Sequence, residues 1–344
     1  MNSILFCKNK YAFGILAPIM MELKKLNYNF IWYVDKNIFD EFPYKTNRHT
    51  SYIKDLKKFD SHVIFVCGNA VPHYLKGVKT QVFHGFAGEK KGHFRIRNYF
   101  DLYLTQGPYF TNKFLKLKQK YKNFEVIQTG WSRVDRLFVQ NTKLNKDKED
   151  LLLKYKRSKI VLYAPTFSPR LTSAPFLKDE LINLSKNSSY LIVIKFHPLM
   201  NKKIKDDYEQ LVGKNNNIIM CKNNDITDLL KIADILISDT SSVIYEFSLL
   251  DKPVITFNNI SRTKYWEDVK NYDNLNKLIE SNLKEDKYSI KRNKLIELYH
   301  PYMDCSSSKR IINAVKSYIT VNGVPNRRKL NLYRKYKIYR LFGF

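Results

Sequence analysis

The sequence predicts an α/β protein built from two doubly wound parallel-sheet, Rossmann-like domains facing a cleft. Three observations carry that expectation. The chain has 344 residues, long for one hydrophobic core and ordinary for two. Short apolar runs alternate with helix-patterned stretches from end to end, the pattern of βαβ units. The apolar runs are nearly continuous in Ile, Val, Phe and Tyr, as expected for strands covered on both faces of a parallel sheet.

In the first half, strands are expected at Ser3–Cys7, Asn29–Val34, His62–Cys67, Thr80–Phe83, Leu102–Thr105 and Phe124–Gln128, with a helix-patterned Ile15–Leu26 between the first two. The charged stretch Asn141–Ser158 reads as a helix near the end of the first domain. A second series follows: strands at Lys159–Ala164, Tyr190–Phe196, Asn217–Met220, Ile235–Ser238 and Pro253–Phe257, separated by helices such as Leu177–Ser185, Ile226–Ile232 and Ser242–Leu250. The expected domains are 1–145 and 146–320, followed by a tail, 321–344. No repeat and no low-complexity linker is visible.

Apolar residues make up 44% of the chain, enough to fill two cores, which excludes general disorder. Sixty Lys and Arg stand against 32 Asp and Glu, a net charge of +28. Such an excess suggests a polyanionic partner, or in part a compositional bias toward Lys. Cys7, Cys67, Cys221 and Cys305 are scattered without metal-ligand or disulfide spacing. They read as free thiols, three of them beside strand-like runs. The N-terminal residues begin a strand-like run without the pattern of a signal peptide. No apolar run approaches the ~20 residues needed to span a bilayer. These features lead to the expectation of a cytoplasmic chain, peripheral at most to a membrane surface. The segment 326–344 carries Arg327, Arg328, Lys329, Arg334, Lys335, Lys337 and Arg340 among Leu330, Tyr333, Tyr336, Leu341 and Phe342, with no acid. A helix there would be basic and roughly amphipathic, suited to an anionic membrane surface; a solvated terminus is the plainer reading.

The strongest local motif is the run from Ile235 to Phe247. A buried strand ends at Ser238, the polar turn Asp239-Thr240-Ser241-Ser242 follows, and a helix starts near Ser242. Free N–H groups at a helix start, flanked by hydroxyls, can hold a phosphate. Asp239 could cap the helix or orient a hydroxyl. Taken alone, such a turn is more often a simple helix cap. Glu246 lies on the same helix face as Ser242 and could accept hydrogen bonds from a ribose diol, or merely face solvent. Val193-Ile-Lys-Phe-His-Pro places His197 at a strand end, where this fold puts ligand contacts. A satisfied core histidine is equally consistent with that position. His84 ends a first-domain strand and leads into Gly85, Gly88, Lys90, Lys91 and Gly92. Three glycines within eight residues, in a chain with 11, permit close backbone approach, and the lysines suit an anion. Thr166 and Arg170 after one strand could touch phosphate, and Ser132-Arg-Val-Asp after another could line the cleft. No phosphate-binding loop of the Gly-x-x-x-x-Gly-Lys-Ser/Thr type, Gly-x-Gly-x-x-Gly fingerprint, His-Glu-x-x-His or paired-Cys metal set occurs. The expectation is metal-independent chemistry without a cofactor, the leaving phosphate being stabilised by dipoles and donors.

These motifs, in this order, resemble the CDP-glycerol glycerophosphotransferase family, the teichoic-acid-type polyol-phosphate transferases. The resemblance rests on His84-Gly85, Ala164-Pro165-Thr166, His197-Pro198, and Ser238 to Ser242 continuing through Glu246 to Leu250-Asp-Lys-Pro-Val; it covers about Gly68 to Val315. It implies a glycosyltransferase-B-like fold with the donor held mainly by the second domain. It implies transfer of a polyol phosphate, glycerol phosphate first, from a CDP-polyol to an acceptor hydroxyl, lipid-linked or saccharide, with release of CMP. By the match, His84 would be the general base, His197 would contact the donor phosphates, Thr240, Ser241 and Ser242 would bind the pyrophosphate, and Glu246 the ribose. A histidine suits the base role because its ordinary pKa lies near neutrality. Two segments depart from the family: Phe86-Ala-Gly-Glu-Lys stands where Thr-Pro-Leu-Lys is usual, and Cys305-Ser-Ser-Ser-Lys-Arg replaces a Gly-Lys near the last helix. The N-terminal segment is shorter than the membrane-targeting portion of some members, which leaves that work to 326–344. Two other readings fit parts of the pattern: a nucleotide-sugar glycosyltransferase or sugar-nucleotide epimerase of the same fold, and a non-enzymatic binder of nucleic acid or anionic lipid.

Overall fold

The structure, a computed structural model, describes residues 1–86, 88, 92–222 and 225–343. The chain forms two compact units, Met1–Arg136 with Glu297–Phe344, and Leu137–Ile296.

The first unit holds a seven-stranded parallel sheet. Its strands are β1 (Ser3–Cys7), β2 (Phe30–Val34), β3 (His49–Thr50), β4 (Val63–Val66), β5 (Val78–Gln81), β6 (Leu102–Thr105) and β7 (Glu125–Gln128), in the order β3-β2-β1-β4-β5-β6-β7. The order reverses between β1 and β4, which makes that gap the topological switch point. Helices α1 (Tyr11–Lys25), α2 (Ile53–Lys58) and α3 (Pro108–Tyr121) connect strands. Helix α3 starts cleanly because Pro108 fills the first turn, where no N–H partner is needed, and ends as Lys122 turns left-handed at φ 55°.

The boundary between the units falls inside α4 (Asp135–Phe138), and α5 (Thr142–Tyr155) is the first helix wholly in the second unit. Its sheet has six parallel strands: β8 (Lys159–Tyr163), β9 (Tyr190–Ile194), β10 (Ile218–Met220), β11 (Ile235–Ser238), β12 (Val254–Phe257) and β13 (Glu267–Val269), ordered β10-β9-β8-β11-β12-β13. Here the switch point lies between β8 and β11. The intervening helices are α6 (Lys178–Ser185), α7 (Lys202–Gly213), α8 (Thr227–Ile232), α9 (Val243–Ser248) and α10 (Leu275–Lys284). A buried cluster including Val161, Tyr163, Ile192, Ile194, Ile235 and Ile237 fills the space between the sheet and its helices.

The expected strands all occur, with one offset. β5 runs over Val78–Gln81 rather than Thr80–Phe83. Phe83 is left-handed at φ 56°, which ends the extended run. Its start is disguised by Lys79, a fully buried lysine whose Nζ donates to the Leu75 carbonyl at 2.6 Å. Burial holds the Lys79 ammonium down to about 8. The edge strands β3 and β13 were not expected; both are short and polar, and each is defined by pairing with one neighbour.

The unit boundaries differ from the sequence expectation. The segment after Arg136 belongs with the second unit, where Lys148 of α5 pairs with Asp234 at 3.0 Å. From Glu297, in the last turn of α11 (Ser289–Tyr299), the chain is part of the first unit again. Helix α12 (Ser307–Asn322) packs on α1. Helix α13 (Leu332–Phe342) covers the opposite face of the first sheet, with Ile338 fully buried in the cluster that contains Ile4, Phe6, Ile31 and Tyr33. Residues 321–344 are therefore no detached tail. Without α13 that face would expose its apolar side chains.

Candidate active site

In the second unit, three adjacent strands end at the switch point, and the loops after them hold Thr166, His197 and the turn Asp239–Ser242. Asp239 is fully buried. One carboxylate oxygen accepts from the Thr166 N–H at 2.8 Å and from the Thr240 N–H at 2.6 Å. The other accepts from the Ser173 N–H at 2.8 Å and the Ser173 hydroxyl at 2.9 Å. Burial raises the pKa of this carboxyl, and the four donors oppose that rise. Asn259 donates its side-chain N–H to the Asp239 carbonyl, and Ser238 Oγ donates to the Ala164 carbonyl at 2.7 Å. Asp239 is thus a brace that ties the end of β11 to the loop after β8, rather than a helix cap.

The hydroxyls that follow are differently placed. Thr240, Ser241 and Ser242 are half-buried. Ser242 is the N-cap residue of α9, yet its side chain makes no capping hydrogen bond. The first-turn N–H groups of α9 lack partners four residues back, as at every helix start. Glu246 sits half-buried in that helix, one turn after Ser242. Thr240 Oγ1 accepts from the Ile260 N–H at 3.4 Å, and with the Ser241 and Ser242 hydroxyls it leaves a polar, neutral-donor surface at the switch point.

His197 is exposed in the loop after β9. Its Nδ1 accepts from the Leu199 N–H at 3.1 Å, which places the proton of the neutral ring on Nε2. The ring stacks on Phe167 with centroids 4.4 Å apart, beside Thr166. Lys195, buried at the end of β9, donates to the Phe196 carbonyl at 3.2 Å, and burial lowers its pKa. Arg170 lies exposed on a turn closed by the Thr172 N–H donating to the Ser168 carbonyl at 2.9 Å. Among the described residues it makes no contact with the Asp239 network.

In the first unit, His84 is exposed after β5. Its Nδ1 lies 3.0 Å from the Cys67 carbonyl at the end of β4. A carbonyl can only accept, so Nδ1 carries the proton and Nε2 presents a lone pair. The ring lies 5.3 Å from Tyr11 at the start of α1. His84 therefore leans back from β5 toward the β1–β4 switch point. Gly85 is held by Gln106, whose side chain donates to the Gly85 carbonyl at 2.9 Å. Lys90 and Lys91 lie outside the described residues.

In the segment Ser132–Asp135, the first and last residues make packing bonds. Ser132 is buried and donates to the Ile15 carbonyl at 2.9 Å. Asp135 accepts from the Ser307 N–H at 2.9 Å and the Ser307 hydroxyl at 2.6 Å, fixing the start of α12. Among the cysteines, Cys7 and Cys67 are buried, Cys221 is half-buried and Cys305 is exposed. Burial pushes the Cys7 thiol up to about 12. Sequence reasoning missed Ser173, Asn259 and Tyr11. Each is distant in sequence from the motif it supports, so no local spacing marks it. Among the described residues no group of three or more His, Cys, Asp or Glu is arranged to hold a metal, and no helix is long and apolar enough to cross a membrane.

The fold recurs in known structures. The wall teichoic acid polymerase TagF aligns over 93% of this chain and 89% of its own, with 18% identity and a TM-score of 0.65. UDP-GlcNAc 2-epimerase from Neisseria meningitidis aligns over 92% and 100%, with 15% identity and a TM-score of 0.67. At these identities the likeness is one of fold. In sequence, the chain is 29% identical over 232 residues to the teichoic acid glycerol-phosphate primase of Bacillus subtilis (strain 168), covering 63% of this chain and 58% of that protein. It is 26% identical over 268 residues to the teichoic acid ribitol-phosphate polymerase TarL of Staphylococcus aureus (strain NCTC 8325 / PS 47), covering 70% and 46%. The chain thus spans about half the length of these curated relatives. The family model for CDP-glycerol:poly(glycerophosphate) glycerophosphotransferase matches residues 77–317, most of the chain and every candidate site residue described above. The chain belongs to the CDP-glycerol:poly(glycerophosphate) glycerophosphotransferase family.

Proposed function

We propose that the protein transfers a polyol phosphate, glycerol phosphate first, from a CDP-activated donor to an acceptor hydroxyl in cell-surface polymer synthesis. The observation that carries this reading is the bond from His84 Nδ1 to the Cys67 carbonyl, which leaves Nε2 as the proton acceptor of an exposed ring. The acceptor oxygen attacks the phosphorus that bears the polyol. The bond from that phosphorus to the bridging oxygen breaks, CMP departs with the electron pair, and His84 Nε2 takes the hydroxyl proton. His197 donates Nε2–H to the donor phosphates. The hydroxyls of Thr240, Ser241 and Ser242, with the first-turn N–H groups of α9, hold the diphosphate without adding charge. Glu246 accepts from the ribose, Asp239 fixes the turn, Thr166 and Arg170 flank the phosphates, and Gly85 with Lys90 and Lys91 forms part of the acceptor side.

CMP release from CDP-glycerol and other CDP-polyols, with a lipid-linked or saccharide acceptor, tests the reading. Release well above that of a His84→Ala variant is expected; no difference across the donors overturns it. Stabilisation of the protein by UDP-sugars and not by CDP-polyols, read by thermal shift, would instead favour sugar-nucleotide chemistry.

The protein works peripherally at the inner face of the membrane in this reading, with α13 as the contact. Leu332 is 82% exposed and Tyr333 and Tyr336 each 59%, on a helix whose basic residues have no acid among them. Tyrosines and cations together suit the headgroup region of an anionic bilayer. Sedimentation with anionic but not neutral liposomes is expected, and binding unchanged in a Tyr333→Ala/Tyr336→Ala/Lys337→Gln variant would refute it.

A further inference from the structure

A cavity of about 430 Å³ opens in the first unit, away from the His84 loop. Asp35 and Lys36, directly after β2, form one wall. Tyr52 and Lys54, directly after β3, form another. Leu341 and Phe342, the end of α13, close the third. The cavity therefore lies at the carboxyl ends of the strands, the side on which open parallel sheets bind ligands and the side to which His84 belongs.

Its charge is the informative feature. The ammonium groups of Lys36 and Lys54 both lie over the Tyr52 ring, at 5.2 and 5.4 Å from its centroid. Lys8 lies over the Phe342 ring at 4.9 Å. Among the described residues, none of these three lysines makes an ion pair. The single acid in the wall, Asp35, accepts from the Asn37 backbone and side-chain N–H groups at 3.1 and 3.0 Å. Two cations line the cavity on one aromatic face, a third lies beside it over Phe342, and the single lining carboxylate is engaged. That combination fits a ligand carrying both negative charge and hydroxyl groups.

Its position relative to His84 sets the ligand's length. The His84 ring reaches back to the end of β4, two inter-strand steps from β2 in the sheet order, about 10 Å at the usual spacing. A single acceptor unit at His84 cannot also fill the cavity, whereas a chain of several linked units can. Resting on the transferase reading above, we propose that this cavity is a second acceptor subsite, which holds the phosphodiester-linked part of an already extended acceptor while its free end reacts at His84. Lys36 and Lys54 bind phosphodiester oxygens, and Asp35 accepts from polyol hydroxyls and limits how tightly the chain is held.

The test compares a soluble acceptor carrying one glycerol phosphate with one carrying several. Lys36→Gln/Lys54→Gln should raise KM for the long acceptor roughly tenfold, as expected for losing two solvent-exposed charge contacts, and leave kcat and the short acceptor's KM unchanged. Asp35→Asn, which keeps the local turn's cap, should lower KM for the long acceptor. Equal changes for both lengths, or none for the long one, would overturn the proposal. A fluorescent synthetic glycerol-phosphate oligomer, without donor, gives an independent readout. Its affinity should fall about tenfold in the lysine variant, with a weaker dependence on salt; unchanged affinity counts against the subsite. Should no CMP be released with any donor while oligomer binding still weakens, the transferase reading fails and the anion site stands.

Discussion

At the residue scale, two candidate-site side chains are held in opposite ways. Asp239 is locked: four donors occupy its carboxylate, and none of its oxygens faces solvent. Asp239→Asn replaces one acceptor by a donor that must face an N–H group. It should cost about 2–3 kcal/mol, as for a lost charge-assisted bond with a stranded buried donor, measurable by denaturant titration. His84 is held by one hydrogen bond and is otherwise exposed. His84→Ala should leave stability nearly unchanged while CMP release falls by about 10²–10⁴, the usual share of a general base. A drop in stability matching the drop in rate would mean that His84 is structural.

At the element scale, α13 shows how one helix serves two environments. Its inner face carries Ile338 into the core and stacks Tyr339 on Tyr74 at 5.6 Å, while Tyr333 and Tyr336 stay outside. Arg328, just before it, donates to the Asn98 and Asn123 carbonyls and pairs with Asp101. Ile338→Ala should therefore destabilise the first unit by about 2–5 kcal/mol, the range for a truncated core side chain. Removing the outer tyrosines should leave the melting temperature in place. The two variants separate the helix's packing role from its surface role.

At the scale of the whole molecule, histidines shielded from water couple folding to pH. His300 is fully buried, and its Nε2 accepts from the Trp131 N–H at 2.9 Å. Burial holds its pKa down at about 4, below the ordinary 6.5. The unfolded chain takes up a proton on this ring as pH falls below about 6.5, whereas the folded chain resists until about 4. Its contribution is therefore complete above that window and is lost as pH falls through it, by about 3 kcal/mol in total. His93 is held down to about 4 by burial in the same way. Stability measured from pH 7 to pH 4.5 should fall steeply, and His300→Gln should flatten the slope; an unchanged slope would place the pH sensitivity elsewhere.

The sequence alone determined the two parallel sheets, because buried strands must be continuous apolar runs, and it placed His84, His197 and Asp239–Ser242 after strand ends, the side on which such sheets bind ligands. It also carried the family, through motifs whose order survives. It did not reveal β3 and β13, which are short edge strands with no apolar run of their own and are defined only by pairing with a neighbour. Nor could it reveal that Asp239 braces Thr166 and Ser173, or that residues 321–344 cover the first sheet. Those facts depend on residues far apart in sequence meeting in space. Periodicity records which residues are buried, and only the tertiary structure decides against what.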